Sequence, residues 1–186
     1  MTAFDVLHFP DERLRLKATP IRKIDSQIND IAHNMLDTMY LEGGIGLAAT
    51  QVNIQKRIVV IDLSENKDEP LILINPKILK FEGKENTQEG CLSVPDYFDT
   101  VERAKNIEFC YETLDKKTIT TKADGLLAIC VQHEIDHLDG KLFIDYLSPL
   151  KRNRLRKKID KQKTELQRSK NYKSIPEENE SLNKIL

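Results

Sequence analysis

An α+β fold is what the sequence predicts: mixed or antiparallel β-sheets wrapped around a central helix that carries His133-Glu-Ile-Asp-His137, with a further α-helix at the C-terminus. Three observations lead there. Apolar residues recur at helical spacing over 28–39, short β-branched runs occupy 57–121, and a strongly apolar, helix-length segment follows at 126–138. A chain of 186 residues can build one compact core.

The first helix opens at Ile24-Asp25-Ser26, where Asp25 or Ser26 can cap it. Ile28, Ile31, Ala32, Met35, Leu36 and Met39 then form one apolar stripe, and Gly43-Gly44 stops it. Strands are expected over 57–63 and 71–75, with polar 64–69 as the loop between them, and again over 78–87, 106–113 and 118–121, the last entered by a turn at Asp115-Lys116. Gln88–Pro95 reads as a loop in which Gly90 lets the backbone turn sharply. Leu126–Leu138 is apolar nearly all round in its first half, the mark of a buried helix, with Gly140 just past its end. Ser148-Pro149 starts the last helix. The divisions expected are a compact domain over 1–148, a basic helix over 149–170, and a polar, disordered tail over 171–186.

Formal charge is −1 overall but unevenly placed. Ten Lys or Arg against two acids in 151–170 leave an acidic body with a basic handle. No stretch approaches the ~18 apolar residues of a membrane helix, so no membrane partner is expected. Three widely spaced cysteines, Cys91, Cys110 and Cys130, argue against a disulfide framework and for a reducing compartment, the cytoplasm.

The chemistry concentrates in three stretches. On a helix, His133 and His137 lie one turn apart on one face, so both imidazoles can reach one metal ion while Glu134 sits beside them as a general acid/base. A catalytic metal usually takes a third protein ligand and keeps a position open. Cys91, in Glu89-Gly-Cys-Leu-Ser93, is the best-placed thiol. Cys130, three residues before His133, would also permit ligation, although Cys110 and Cys130 read more simply as small buried apolar residues. The third stretch, Gly44-Ile-Gly-Leu-Ala-Ala-Thr-Gln51, puts a polar Gln51 in apolar surroundings. His8 and His33 read as ordinary surface or boundary residues.

Together, and in this order, the three stretches resemble the motifs of peptide deformylases, and the resemblance covers roughly residues 3–165. It implies a central metal-binding helix and a catalytic domain over 1–148. It further implies that Cys91, His133 and His137 bind the metal, that Glu134 is the acid/base, and that the Gln51 side chain and Leu92 N–H hold the formyl oxygen. An extended peptide would pair with backbone at Ile45 and Gly46, and its methionine would lie among Ile45, Glu89, Gly90, Leu126, Ile129, Cys130 and His133. Arg103 and Asp136 would hold Glu89 or the ligands in place. Many bacterial members carry Arg where Phe98 stands. One divalent metal per chain is implied, Fe²⁺ in the cell, with a ligand set that also suits Zn²⁺, Ni²⁺ or Co²⁺. The implied partners are nascent formyl-Met polypeptides and, through the basic helix, the ribosome, whose phosphates would make binding salt-dependent. Two other classes share the helix motif: a metallopeptidase, which generally takes His or an acid as third ligand, and a non-catalytic zinc module in which Cys91, Cys130, His133 and His137 close the site.

Overall fold

Asp25 caps the first helix, α1 (Ser26–Leu41), its carboxylate accepting from the Ile28 N–H, a contact worth ~1 kcal/mol. At the other end Gly43 takes φ +70, and the Gly44 N–H returns to the Met39 carbonyl at 2.9 Å. A residue with a Cβ adopts that φ only at a cost, which is why glycine ends the helix. These observations come from a computed structural model that describes residues 3–173. The chain divides into two units, Met1–Leu147 and Ser148–Leu186.

The first unit is α+β with antiparallel sheets. Strands β1 (Gly46–Ala48), β2 (Ile58–Ile61), β3 (Leu71–Glu82), β6 (Asn106–Glu112) and β7 (Thr118–Asp124) form a five-stranded sheet in the order β1-β2-β3-β6-β7. Strands β4 (Glu85–Cys91) and β5 (Val94–Arg103) form a separate two-stranded ribbon. A second helix, α2 (Gly125–Leu138), follows β7. Strand β2 reads Ile-Val-Val-Ile without a polar break because both its faces are covered. Ile58 and Val60 join the cluster around Ala32, Met35 and Met39 of α1, whereas Val59 and Ile61 join Ala128, Val131, Ile135 and Leu138 of α2. Each large apolar side chain buried there contributes roughly 1.5–3 kcal/mol. The sheet therefore holds α1 and α2 on opposite faces, and α2 is anchored along its length.

Three elements differ from expectation. The runs 71–75 and 78–87 are not two strands. Strand β3 continues through Asn75 (φ +52) and Pro76, where the pairing with β6 shifts register between Ile74 and Lys77. A proline that cannot donate to the ladder is absorbed by that irregularity. Gln88–Pro95 is not a loop but the end of β4, a tight turn at Leu92-Ser93 and the start of β5. Gly90 serves close packing rather than a sharp turn: a Cβ there would lie 2.4 Å from the Phe98 ring. In the second unit, helix α3 runs Pro149–Lys173, three residues into the segment expected to form the tail. The rest of that expected tail, 174–186, lies outside the described residues.

Candidate metal centre

Two elements meet at the site. The ribbon brings Cys91 at the end of β4, and α2 brings His133 and His137 on one face. Cys91 Sγ lies 3.2 Å from His137 Nε2, and that nitrogen lies 3.2 Å from His133 Nε2. All three donor atoms fall within 4.8 Å of one another, and this is the one such cluster of three among the described residues. Tetrahedral ligands at ~2.0–2.3 Å from a shared ion stand roughly 3.3–3.7 Å apart, so the triangle has the size a divalent metal requires. Cys110 and Cys130 are not in it. The Cys130 thiol instead points to the Ile45 carbonyl at 4.0 Å, and burial, then the Glu134 charge, pushes its pKa well up. A site closed by a fourth ligand from Cys130 is not what this geometry offers.

His133 is oriented from behind. Its Nδ1 donates to Glu89 Oε2 at 2.8 Å, which leaves the Nε2 lone pair toward the triangle. The assignment follows from the state of Glu89. Burial alone would raise its pKa, but the hydrogen bonds from His133 and Arg103 and the Arg103 charge outweigh burial and hold it at about 2. An ionised carboxylate can only accept. Arg103 grips both Glu89 oxygens, Nε to Oε1 at 2.7 Å and Nη2 to Oε2 at 3.0 Å, and sends Nη1 to Asp136 Oδ2 at 2.5 Å. His137 Nδ1 is buried and has no hydrogen-bond partner among the described residues.

Glu134 lies one position along α2 from His133 and is buried. Burial dominates its protonation and lifts the carboxyl to about 7. Its Oε2 has no hydrogen-bond partner among the described residues. Gly46 of β1 passes directly over this carboxylate: a Cβ there would lie 2.6 Å from Glu134 Oε1 and 2.7 Å from Cys130 Sγ. Gln51, on the single 3₁₀ turn Ala49–Val52 after β1, is buried and fixed by the Ala48 N–H, which donates to its Oε1 at 2.8 Å. That bond assigns the amide: Nε2 must face the other way, toward Ser93 Oγ at 3.1 Å and Cys91 Sγ at 3.6 Å.

The remaining expected residues lie around this centre. Gly90 and Leu92 flank Cys91 on the ribbon. Leu126, Ile129, Cys130 and His133 share one face of α2, being spaced three, four and seven residues apart. Leu126 and Ile45 are exposed although apolar, and Phe98 is exposed over Gly90. The Ile45 carbonyl is already taken by the Asp62 N–H at 2.9 Å. In an antiparallel ladder this alternation turns the Gly46 N–H and C=O toward the open edge of β1. Two participants were given no role from the sequence. Ser93, quoted above only as the end of the Cys91 motif, receives the Gln51 amide, and Tyr146, thirteen residues beyond His133 and outside every motif, donates its hydroxyl to Asp136 Oδ2 at 2.8 Å.

This geometry is accompanied by similarity to known proteins. It matches the family model for polypeptide deformylase over residues 3–153. It is 57% identical over 163 residues to a peptide deformylase of Tolumonas auensis, an alignment covering 87% of this chain and 96% of that protein. Among solved structures it resembles a peptide deformylase from Legionella pneumophila (TM-score 0.84, 43% identity, 90% of this chain and 99% of that one). It also resembles a peptide deformylase from Synechococcus elongatus in complex with actinonin (TM-score 0.79, 43% identity, 86% of this chain and 87% of that one).

Proposed function

The chain belongs to the polypeptide deformylase family and is a metal-dependent hydrolase of the formyl amide on N-terminal formylmethionine, and from that premise we propose that Cys91, His133 and His137 hold its metal. The observation that carries the assignment is the triangle of Cys91 Sγ, His133 Nε2 and His137 Nε2, three electron-pair donors at the spacing of ligands to one ion. Three ligands leave the fourth tetrahedral position for water or substrate. On this reading α2 is the central metal-binding helix of the fold, with the sheet on one side and the ribbon on the other. When bound, the metal supplies a Lewis acid that ionises water near neutrality and polarises the formyl carbonyl.

The chain's own residues account for the rest. A buried carboxyl lifted to about 7 is poised to take a proton from water at Oε2 and return it to the departing amine, so Glu134 is assigned as general acid/base. Gln51 Nε2, pre-aimed by the Ala48 bond, and the N–H of the turn residue Leu92 are assigned to the developing oxyanion. One such donor is worth ~3–4 kcal/mol. The open edge at Gly46 suits an extended peptide added as a further strand, which gives affinity without sequence preference. The exposed Ile45 and Leu126, with Ile129, Cys130, Glu89 and Gly90 beyond them, would enclose the methionine side chain. Fe²⁺ is the metal proposed for the cell, held in a thiolate and imidazole set that also accepts Zn²⁺, Ni²⁺ or Co²⁺. A cytoplasmic site of action is proposed from the three free thiols and the nascent-chain substrate. No helix among the described residues is long and apolar enough to cross a membrane.

We extend the proposal to the ribosome through the basic helix. Lys151, Arg152, Arg154, Arg156, Lys157, Lys158 and Lys161 all have exposed side chains on α3. Such density of positive charge suits RNA phosphate. The metal assignment is tested by titrating wild type, Cys91→Ser and Cys130→Ser under one limiting metal concentration. Cys91→Ser should bind far less metal than Cys130→Ser; equal content in all three would overturn it.

A further inference from the structure

His133 and Asp136 are three residues apart on α2, and a closed chain of hydrogen bonds leaves the helix at one and returns at the other. It runs from His133 Nδ1 to Glu89, from Glu89 to Arg103 through two bonds, and from Arg103 Nη1 to Asp136. Both middle members belong to the ribbon: Glu89 lies two residues before Cys91 on β4, and Arg103 ends β5. The loop is thus a clamp between the element that carries the thiol and the helix that carries the imidazoles. Its charged members are almost dry, with side-chain exposures of 4% for Arg103, 4% for Glu89 and 13% for Asp136. In so dry a setting a loosened charge is costly, and geometry is correspondingly well held.

The corner of the clamp at Asp136 is the wettest, since it borders an open cleft of about 420 Å³ lined also by Arg57, Lys77 and Phe81. There Tyr146 makes two contacts at once. Its hydroxyl donates to the same Asp136 oxygen that Arg103 uses, at 2.8 Å, and its ring lies 4.6 Å from the Arg103 guanidinium carbon. Desolvation, with the Asp136 charge, pushes the phenol up to about 12, so it remains a donor across the working range. Nothing in the hydrolysis assigned above uses this side chain. We propose that Tyr146 is a positioning residue: it locks Asp136 and Arg103 at the solvent end of the clamp, and so sets the distance between the Cys91 ribbon and the two histidines of α2.

The inference rests on the proposed ligand set, and the test separates the two. Tyr146→Phe keeps the ring over Arg103 and loses the hydroxyl, Tyr146→Leu loses both, and Asp136→Asn removes the charge they secure. Each is loaded with Co²⁺. The readouts are the rate of metal release into excess chelator and the thiolate-to-metal charge-transfer absorption, which reports the Cys91 bond directly. Partners behind a metal ligand typically change affinity 10–100-fold. Release should therefore be about tenfold or more faster in Tyr146→Leu and Asp136→Asn, and several-fold faster in Tyr146→Phe, with a weakened or shifted charge-transfer band. A residue that merely packs would lower the unfolding temperature and leave the band and the release rate of folded protein unchanged; that result overturns the proposal. If the wild type itself shows no thiolate band and binds no stoichiometric metal, the ligand assignment falls, and this inference with it.

Discussion

Gly46→Ala is the substitution whose consequence the structure defines most sharply. The added methyl would stand 2.6 Å from Glu134 Oε1 and 2.7 Å from Cys130 Sγ, about 0.7–0.8 Å inside the 3.4 Å at which ordinary contact begins. Strand β1 is held to β2 along its whole length, and α2 is packed against the same sheet, so the backbone has little room to retreat. The carboxylate is the movable party. Swinging it aside relieves the contact with Oε1 but displaces the general base by most of an ångström, and a misplacement of ~1 Å costs ~10²-fold in rate. Gly46→Ala should therefore lose ~10–100-fold in kcat/KM for a formyl-Met peptide and keep its metal, while the contact left with Cys130 Sγ lowers stability by ~1–3 kcal/mol. Adding Cys130→Ala relieves only one of the two contacts and should not restore the rate. A single mutant with kcat/KM within threefold of wild type at equal metal content would refute the placement of Glu134 under β1.

Three further outcomes are expected. Glu134→Ala should retain the metal and lose at least ~10²-fold in turnover of formyl-Met peptide; near-normal turnover of the metal-loaded mutant would end its role as acid/base. Glu89 sits near 2 when folded against 4.5 for the free group, so it stabilises the fold above pH ~4.5 by on the order of 3 kcal/mol, and that contribution fades as pH falls toward 2. Unfolding curves of wild type and Glu89→Gln should accordingly converge below pH ~4.5, and a gap independent of pH would contradict the assignment. Replacing Arg152, Arg154, Lys157, Lys158 and Lys161 with Gln should reduce co-sedimentation with ribosomes at low salt, and unchanged sedimentation would remove α3 as an electrostatic anchor.

How much of this was legible in the sequence varied with the range of the forces involved. Helix α1 was legible because its stripe, cap and terminal glycine are local. So was the pairing of His133, Glu134 and His137, which needs only helical periodicity. The third donor was legible only in part: Cys91 was the best-placed thiol and the one the motif resemblance implied, but spacing alone left Cys130 open, and it is the arrival of the ribbon that puts Cys91 in the triangle. Strand β5 was missed for a physical reason. Val94–Arg103 lies in a two-stranded ribbon with much of its surface exposed, and Pro95, Asp96 and Asp99 break the β-branched pattern that buried strands show. Asn75-Pro76 read as the end of a strand because the register shift that absorbs it depends on β6, some thirty residues away. Tyr146 left no trace, since its partners Arg103 and Asp136 are brought to it by the fold alone.

Three donors from two elements are proposed to hold a metal that, with Glu134, hydrolyses the formyl amide. The most direct test is formate release by anaerobically prepared, Fe²⁺-loaded protein given a formyl-Met peptide, with the same peptide lacking the formyl group as control for peptide-bond cleavage. The expected result is stoichiometric formate, an intact peptide bond in both samples, and loss of formate production in Cys91→Ser. Cleavage of the unformylated peptide, or formate release that persists in Cys91→Ser without bound metal, would contradict it.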